Sequence, residues 1–146
     1  MLSTSCKYGI RSVIYLAQKP LFNGKIGIKQ ISEDLDLPTP FMAKILQQLV
    51  KHKILISSKG PHGGFSLLKD PRNITLLEIV NTIDGEGFFK NCVMHSGLCV
   101  TSENKRKQCT LHDEYYKTRE DLKKLFSNLT IYDLATKADN SDFIVI

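Results

Sequence analysis

The sequence lacks the marks of several large function classes. No stretch approaches the roughly 20 apolar residues that span a bilayer, so no membrane association is expected. The opening Met1-Leu2-Ser3-Thr4-Ser5-Cys6-Lys7 has neither the charged start nor the apolar run of a secretory signal, which makes a cytoplasmic protein the expectation. There is no Cys-x-x-Cys, no glycine-rich phosphate loop after a strand, and no spacing like a Ser–His–Asp set. An enzyme, such as a small thiol oxidoreductase, is therefore the least supported class. Internal repeats and low-complexity tracts are absent too. The chain has only four cysteines. In a reducing compartment they point to metal binding or redox sensing rather than to structural disulfides.

What is present fits one globular unit. A chain of 146 residues, 42% hydrophobic and 24% charged, can bury a core without cross-links. Its net charge of +5 is unevenly spread. Residues 1–75 hold 11 Lys/Arg against 4 Asp/Glu, and residues 76–146 hold 9 against 11. A basic half joined to a mildly acidic one suits a nucleic-acid reader attached to a different module, although solubility alone also scatters lysines.

The periodicity predicts a mostly α fold with a small β-hairpin. Ile10, Val13, Ile14 and Leu16 give helical spacing over Tyr8–Gln18, stopped by Lys19-Pro20. A short helix is expected over Lys29–Leu35, and Asp36-Leu37-Pro38 turns the chain. Thr39 is the expected N-cap of the next helix, with Pro40 at its first position. That helix runs to about His52 with the apolar stripe Met42, Ile45, Leu46 and Leu49. Ile54–Ser58 and Phe65–Leu68 read as strands around a Lys59-Gly60-Pro61-His62-Gly63-Gly64 turn. Thr75 is expected to cap a helix to Ile83. Residues 88–108 read as irregular, Cys109 to about Asn128 as a long helix, and Ile131–Ala138 as a final short one.

Two short helices, a tight turn and a hairpin make a winged helix-turn-helix. The second helix suits the major groove, and its outer face, Thr39, Ala43, Lys44, Gln47, Gln48 and Lys51, carries no acidic side chain. Gln47 and Gln48 can pair with adenine, Lys44 can reach guanine or a phosphate, and Thr39 a phosphate or a thymine methyl. At the wing, Lys59 can neutralise a phosphate, His62 can enter the minor groove, and the small residues around Gly60, Pro61 and Gly63 allow close backbone approach. Pro40 and Phe41 complete the candidate contact set. The bland alternatives are a solvated helix face, or a winged helix used for protein contacts.

Late in the chain stand Cys92, Cys99, Cys109 and His112, separated by six, nine and two residues. Thiolates and imidazole bind iron–sulfur clusters or zinc. Cys109 and His112 would share one face at a helix start, where a thiol is more readily ionised. A metal-free thiol switch, or plain buried cysteines, are the competing readings. His95 and Cys6 read as bystanders.

Ile31-Ser32-Glu33, the helix Phe41–Leu49, and Ser58-Lys59-Gly60-Pro61-His62-Gly63-Gly64-Phe65 resemble the Rrf-type winged-helix regulators. The start Tyr8-Gly9-Ile10-Arg11 and the segment Leu129–Leu134 also fit. These regulators include the iron–sulfur cluster regulator, the nitric-oxide-sensitive repressor and the cysteine-metabolism repressor of bacteria. The resemblance implies a homodimer on double-stranded operator DNA, with the helix near 109–128 as the dimer interface. It thus implies a sequence-specific transcriptional regulator, a repressor by preference. Three parts follow: a winged helix-turn-helix over 1–84, a cysteine-bearing sensor loop over 85–108, and a dimerisation helix with tail over 109–146. The resemblance also implies a 2Fe–2S or 4Fe–4S cluster on Cys92, Cys99 and Cys109, while the chemistry of the same three cysteines with His112 leaves zinc as the alternative. Three departures stand out. The cluster regulator has an acidic residue where this sequence has Ala43. The gap between Cys99 and Cys109 is long. Ser5-Cys6-Lys7 offers no carboxylate where some relatives supply a fourth ligand, which leaves His112 as the better candidate, with Cys6 behind it.

Overall fold

A computed structural model describes residues 2–19, 24–94 and 110–139. Helix α1 spans Thr4–Gln18, beginning well before the apolar spacing suggests. The reason is Ser3, whose Oγ accepts from the Cys6 N–H at 3.0 Å and so caps a polar first turn. Ser3 is itself held from the far side. Its N–H donates to Asp84 Oδ2 at 2.8 Å and its hydroxyl to Asp84 Oδ1.

Helices α2 (Ile28–Asp34) and α3 (Thr39–Lys51) form the helix pair. Each ends on a non-glycine residue in the left-handed region, Asp36 at φ 52° and Lys53 at φ 59°. The next amides reach back, Leu37 N–H to Ser32 O at 2.8 Å and Ile54 N–H to Leu49 O at 3.0 Å. That pattern satisfies carbonyls left open at a helix end and fixes the exit angle of the chain. Arg11 donates from Nη2 to Leu35 O at 2.8 Å, pinning the end of α2 to α1.

The start of α3 corrects one expectation. Pro38, not Thr39, is the N-cap, and no side chain caps the helix. The Pro38 carbonyl accepts from both Phe41 and Met42 N–H at 3.2 Å. Thr39 and Pro40 are already in the first turn, where a proline sacrifices no hydrogen bond. The expected stripe holds: Met42, Ile45, Leu46 and Leu49 are all buried. They pack with Val13, Ile31, Ile54 and Ile79 in the main core. Truncating any one of the large residues to Ala would cost about 2–5 kcal/mol.

Strands β1 (Leu55–Ser58) and β2 (Gly64–Leu67) pair antiparallel, Leu55 opposite Leu67 and Ser58 opposite Gly64. A third segment joins them: Ile26 and Phe65 exchange two backbone hydrogen bonds of 2.9 Å. A 3-10 turn (Pro71–Asn73) leads to α4 (Leu76–Ile83), capped as expected by Thr75, whose Oγ1 accepts from Glu78 N–H at 3.2 Å. The short helix α5 (Gly87–Lys90) falls where irregular chain was expected. Four residues are too few to show a helical period. Its Phe89 is buried with Cys6 and Val80, and Phe89 meets Phe126 edge-on at 5.5 Å.

Helix α6 spans His112–Asn128, so it starts at His112 rather than Cys109. Helix α7 (Ile131–Asp139) returns to the first part of the chain. Its Ile131 and Ala135 lie in the same core as Val13 and Ile31. Thr75 and Thr130 form a backbone bridge, flanked by Leu76 N–H to Leu129 O and Ile131 N–H to Ile74 O, both 2.9 Å. Among the described residues no helix is long and apolar enough to cross a membrane.

Candidate nucleic-acid interface

The inner face of α3 is fixed in the core, so its outer face is fixed too. Thr39, Pro40, Phe41, Lys44, Gln47 and Lys51 are exposed, and Ala43 is half-buried. This face runs the length of the helix with two lysines and no carboxylate. Exposed His52 and Lys53 extend it beyond the helix end. Recognition helices of this type present their N-terminal residues to base edges and their cationic side chains to phosphates.

Gln48 behaves differently from the sequence expectation. It is half-buried, and its Nε2 donates to the Thr82 carbonyl at 2.6 Å. The amide faces α4, and pairing with adenine would require that bond to be exchanged. The structural role it has instead, linking α3 to the end of α4, had no sequence signal beyond its place at the margin of the apolar stripe.

The wing brings Lys59, Gly60, Pro61 and His62 to the surface, with Gly63 half-buried. The small residues have a reason other than openness towards a ligand. A Cβ on Gly63 would lie 2.3 Å from Ser58 O, and one on Gly64 would lie 2.5 Å from the Ile26 carbonyl carbon and oxygen. Both contacts are with backbone, so Gly63 is required for the tip to fold on itself and Gly64 for the hairpin to close onto Ile26. Gly63 N–H donates to Gly60 O at 2.9 Å to shut the tip.

The candidate ligands are partly described. Cys92 is half-buried just after α5, and His112 is buried at the first turn of α6, stacked on Tyr116 with ring centroids 6.0 Å apart. Cys99, Cys109 and His95 lie outside the described residues. Among the described residues no three His, Cys, Asp or Glu side chains gather around one point. Cys6 is fully buried, and burial first, then the Asp84 carboxylate, pushes its thiol up to about 12. It is therefore a protonated core thiol at neutral pH, poorly suited to ligation.

One buried group near His112 escaped the sequence reading. Arg119 is 6% exposed, and its Nε and Nη1 have no hydrogen-bond partner among the described residues. The guanidinium lies 5.8 Å from the Tyr115 ring and 5.4 Å from the Tyr116 ring. Its signal was its register: Arg119 falls between Tyr115 and Leu122 on the apolar stripe of α6. The same helix exposes Tyr116, Leu122 and Leu125.

A buried helix pair, an acid-free outer helix and an anchored two-stranded wing define a winged helix-turn-helix DNA-binding protein. A family model described as Rrf2, an iron-dependent transcriptional regulator, matches residues 2–137. A helix-turn-helix-type regulator assigned in Aquifex aeolicus is 28% identical over 92% of this chain and 90% of its own length. Among solved structures, CymR, the global cysteine regulator of B. subtilis, superposes with a TM-score of 0.76 at 21% identity, covering 94% of this chain and 97% of that one. IscR of T. potens gives 0.76 at 20% identity, covering 99% and 92%. The chain belongs to the Rrf2 family. It is a DNA-binding transcriptional regulator and not an enzyme.

Proposed function

We propose that the chain is a cytoplasmic, homodimeric repressor whose affinity for operator duplex is set by an iron–sulfur cluster held by Cys92, Cys99, Cys109 and His112. The observation that carries the DNA-binding part is the acid-free face of α3 next to the anchored wing. Lys44, Gln47 and Lys51 on α3 and Lys59 on the wing are the principal contacts. Thr39, Pro40, Ala43, Gly60, Pro61, His62 and Gly63 come close to the duplex around them, and Gln48 does so only if it leaves Thr82. The reader occupies residues 1–84, the sensor loop 85–108, and the dimerisation helix and tail 109–146.

Support for the dimer comes from α6, whose Tyr116, Leu122 and Leu125 are exposed apolar surface. The unpartnered guanidinium nitrogens of Arg119 on that helix favour an acidic group supplied from outside the described chain.

Support for the cluster is chemical. Three thiolates and an imidazole suit iron–sulfur ligation or zinc, and the family model is described as iron-dependent. A bound cluster would supply a redox-sensitive cross-link between the loop and α6. The chain's own part is to hold His112 by its stack on Tyr116, and to tie the loop's root to α3. That tie runs through α4, whose Thr82 carbonyl holds Gln48. Loading would then shift the placement of two recognition helices relative to two half-sites.

Anaerobic purification with an absorbance spectrum and counts of iron, sulfide and zinc tests the cofactor. Iron and sulfide lost in Cys92→Ala, Cys99→Ala and Cys109→Ala support the ligand set. Full iron in those variants refutes it, and stoichiometric zinc replaces it with the zinc reading. For the interface, Lys59→Ala should weaken duplex binding and flatten its salt dependence, by about 0.9 in log–log slope for each phosphate that is no longer neutralised. An unchanged slope removes Lys59 from the footprint.

A further inference from the structure

Phe41 has no structural task that explains it. It stands in the first turn of α3 and is 65% exposed, the most open of the large hydrophobic residues described. Its neighbours along the helix divide cleanly. Met42 and Ile45 are buried in the core, whereas Pro40 and Lys44 are exposed on the reading face with it. Phe41 and Lys44 are separated by one helical turn, so the ring and the ammonium project from the same ridge. No aromatic or cationic partner holds the ring among the described residues, although other exposed side chains here have them, as Arg72 does over the Tyr132 ring at 4.3 Å.

An aromatic ring has no donor or acceptor for a base edge. What it can recognise in the major groove is apolar surface, and the only apolar group there is the C5 methyl of thymine. The N-terminal turn of the recognition helix is the part that enters the groove. We propose that Phe41 is a specificity-determining residue that reads a pyrimidine C5 methyl in each half-site. Lys44, one turn on, contacts the neighbouring base edge or phosphate. The ring thereby selects thymine over cytosine at one position without any hydrogen bond. The inference rests on the DNA-binding reading above and adds the chemical group that is recognised.

The test uses a duplex enriched from a random library by the full-length protein. Each thymine in the enriched sequence is replaced singly by deoxyuridine, which removes only the methyl. One position per half-site should lose about fourfold in affinity, the equivalent of one buried methyl group. The same replacement should have no effect on Phe41→Ala, and an intermediate effect on Phe41→Leu. Thermal melts matching the wild type would show that both variants fold, as expected for so exposed a side chain. The proposal is overturned if no deoxyuridine substitution shifts wild-type affinity beyond twofold, if no thymine is fixed in the enriched half-sites, or if the loss persists in Phe41→Ala. In those cases salt-dependent duplex binding survives, so DNA reading stands and only methyl recognition falls. A protein that enriches no duplex at all overturns both.

Discussion

Replacing Gly64 by Ala should unseat the wing while leaving the rest of the core intact. The new Cβ would sit 2.5 Å from the carbonyl carbon and oxygen of Ile26 and 2.9 Å from Gly27 N. These are backbone atoms of a neighbouring segment and cannot rotate aside as a side-chain tip would. The cheapest relief is to separate the segments, which breaks the two 2.9 Å hydrogen bonds between Ile26 and Phe65. Each is worth about 1 kcal/mol net. Gly64 also has φ of 151°, on the positive side that L side chains avoid, which adds about 1 kcal/mol. Alanine restricts the unfolded chain and returns about 0.4–1 kcal/mol. The expected net loss is therefore about 2–3 kcal/mol. Urea titration followed by far-UV circular dichroism measures it. Gly60→Ala is the internal control, because a Cβ there meets nothing within 4 Å and only its φ of 106° is penalised. With the same return from the unfolded chain, it should lose about 1 kcal/mol or less. If Gly64→Ala costs less than about 0.5 kcal/mol, or less than Gly60→Ala, the contact with Ile26 does not anchor the wing and the reasoning fails.

Two further outcomes follow from the same geometry. Lys53→Gly should raise stability by about 0.5–1 kcal/mol, since a left-handed helix end strains lysine but not glycine; a urea midpoint at or below that of the wild type would contradict it. On the alkaline side, the Cys6 thiol is raised from 9.0 to about 12 and the Tyr15 hydroxyl from 10.0 to about 12, each chiefly by burial. The unfolded chain releases these protons first, so their contribution is complete below about pH 9 and is lost as pH rises towards 12. Thermal midpoints should fall through that window, and more shallowly in Cys6→Ala; equal slopes would show that Cys6 ionises as freely folded as unfolded.

Much of this architecture is legible wherever a local signal exists. The stripe on α3 and the Thr75 cap depend on spacing and on one hydroxyl, and both can be read from the sequence. The beginning of α1 cannot, because Thr4-Ser5-Cys6-Lys7 is polar and its helical state depends on Ser3 being held by Asp84, 81 positions away. The bridge of Ile26 to Phe65 and the inward turn of Gln48 towards Thr82 are likewise long-range pairings with no periodic trace. The glycines at 63 and 64 stand out in the sequence, but their cause does not: internal backbone contact requires them, whatever the wing touches. For the proposed ligands, the residue types are readable from the sequence, and Cys99 and Cys109 lie outside the described residues.

The bridge between Thr75 and Thr130 has a consequence for how such a chain can diversify. The chain leaves this neck at Leu76 and returns to it at Leu129, and on the way out α4 is packed into the core through Ile79 and held to α3 by Gln48. The entropy of closing a flexible loop rises by only about 0.6 kcal/mol for each doubling of its length. A longer connection across this neck would therefore cost the helix pair and wing little stability, provided the neck holds. The nine residues between Cys99 and Cys109 fall within the span that this neck closes.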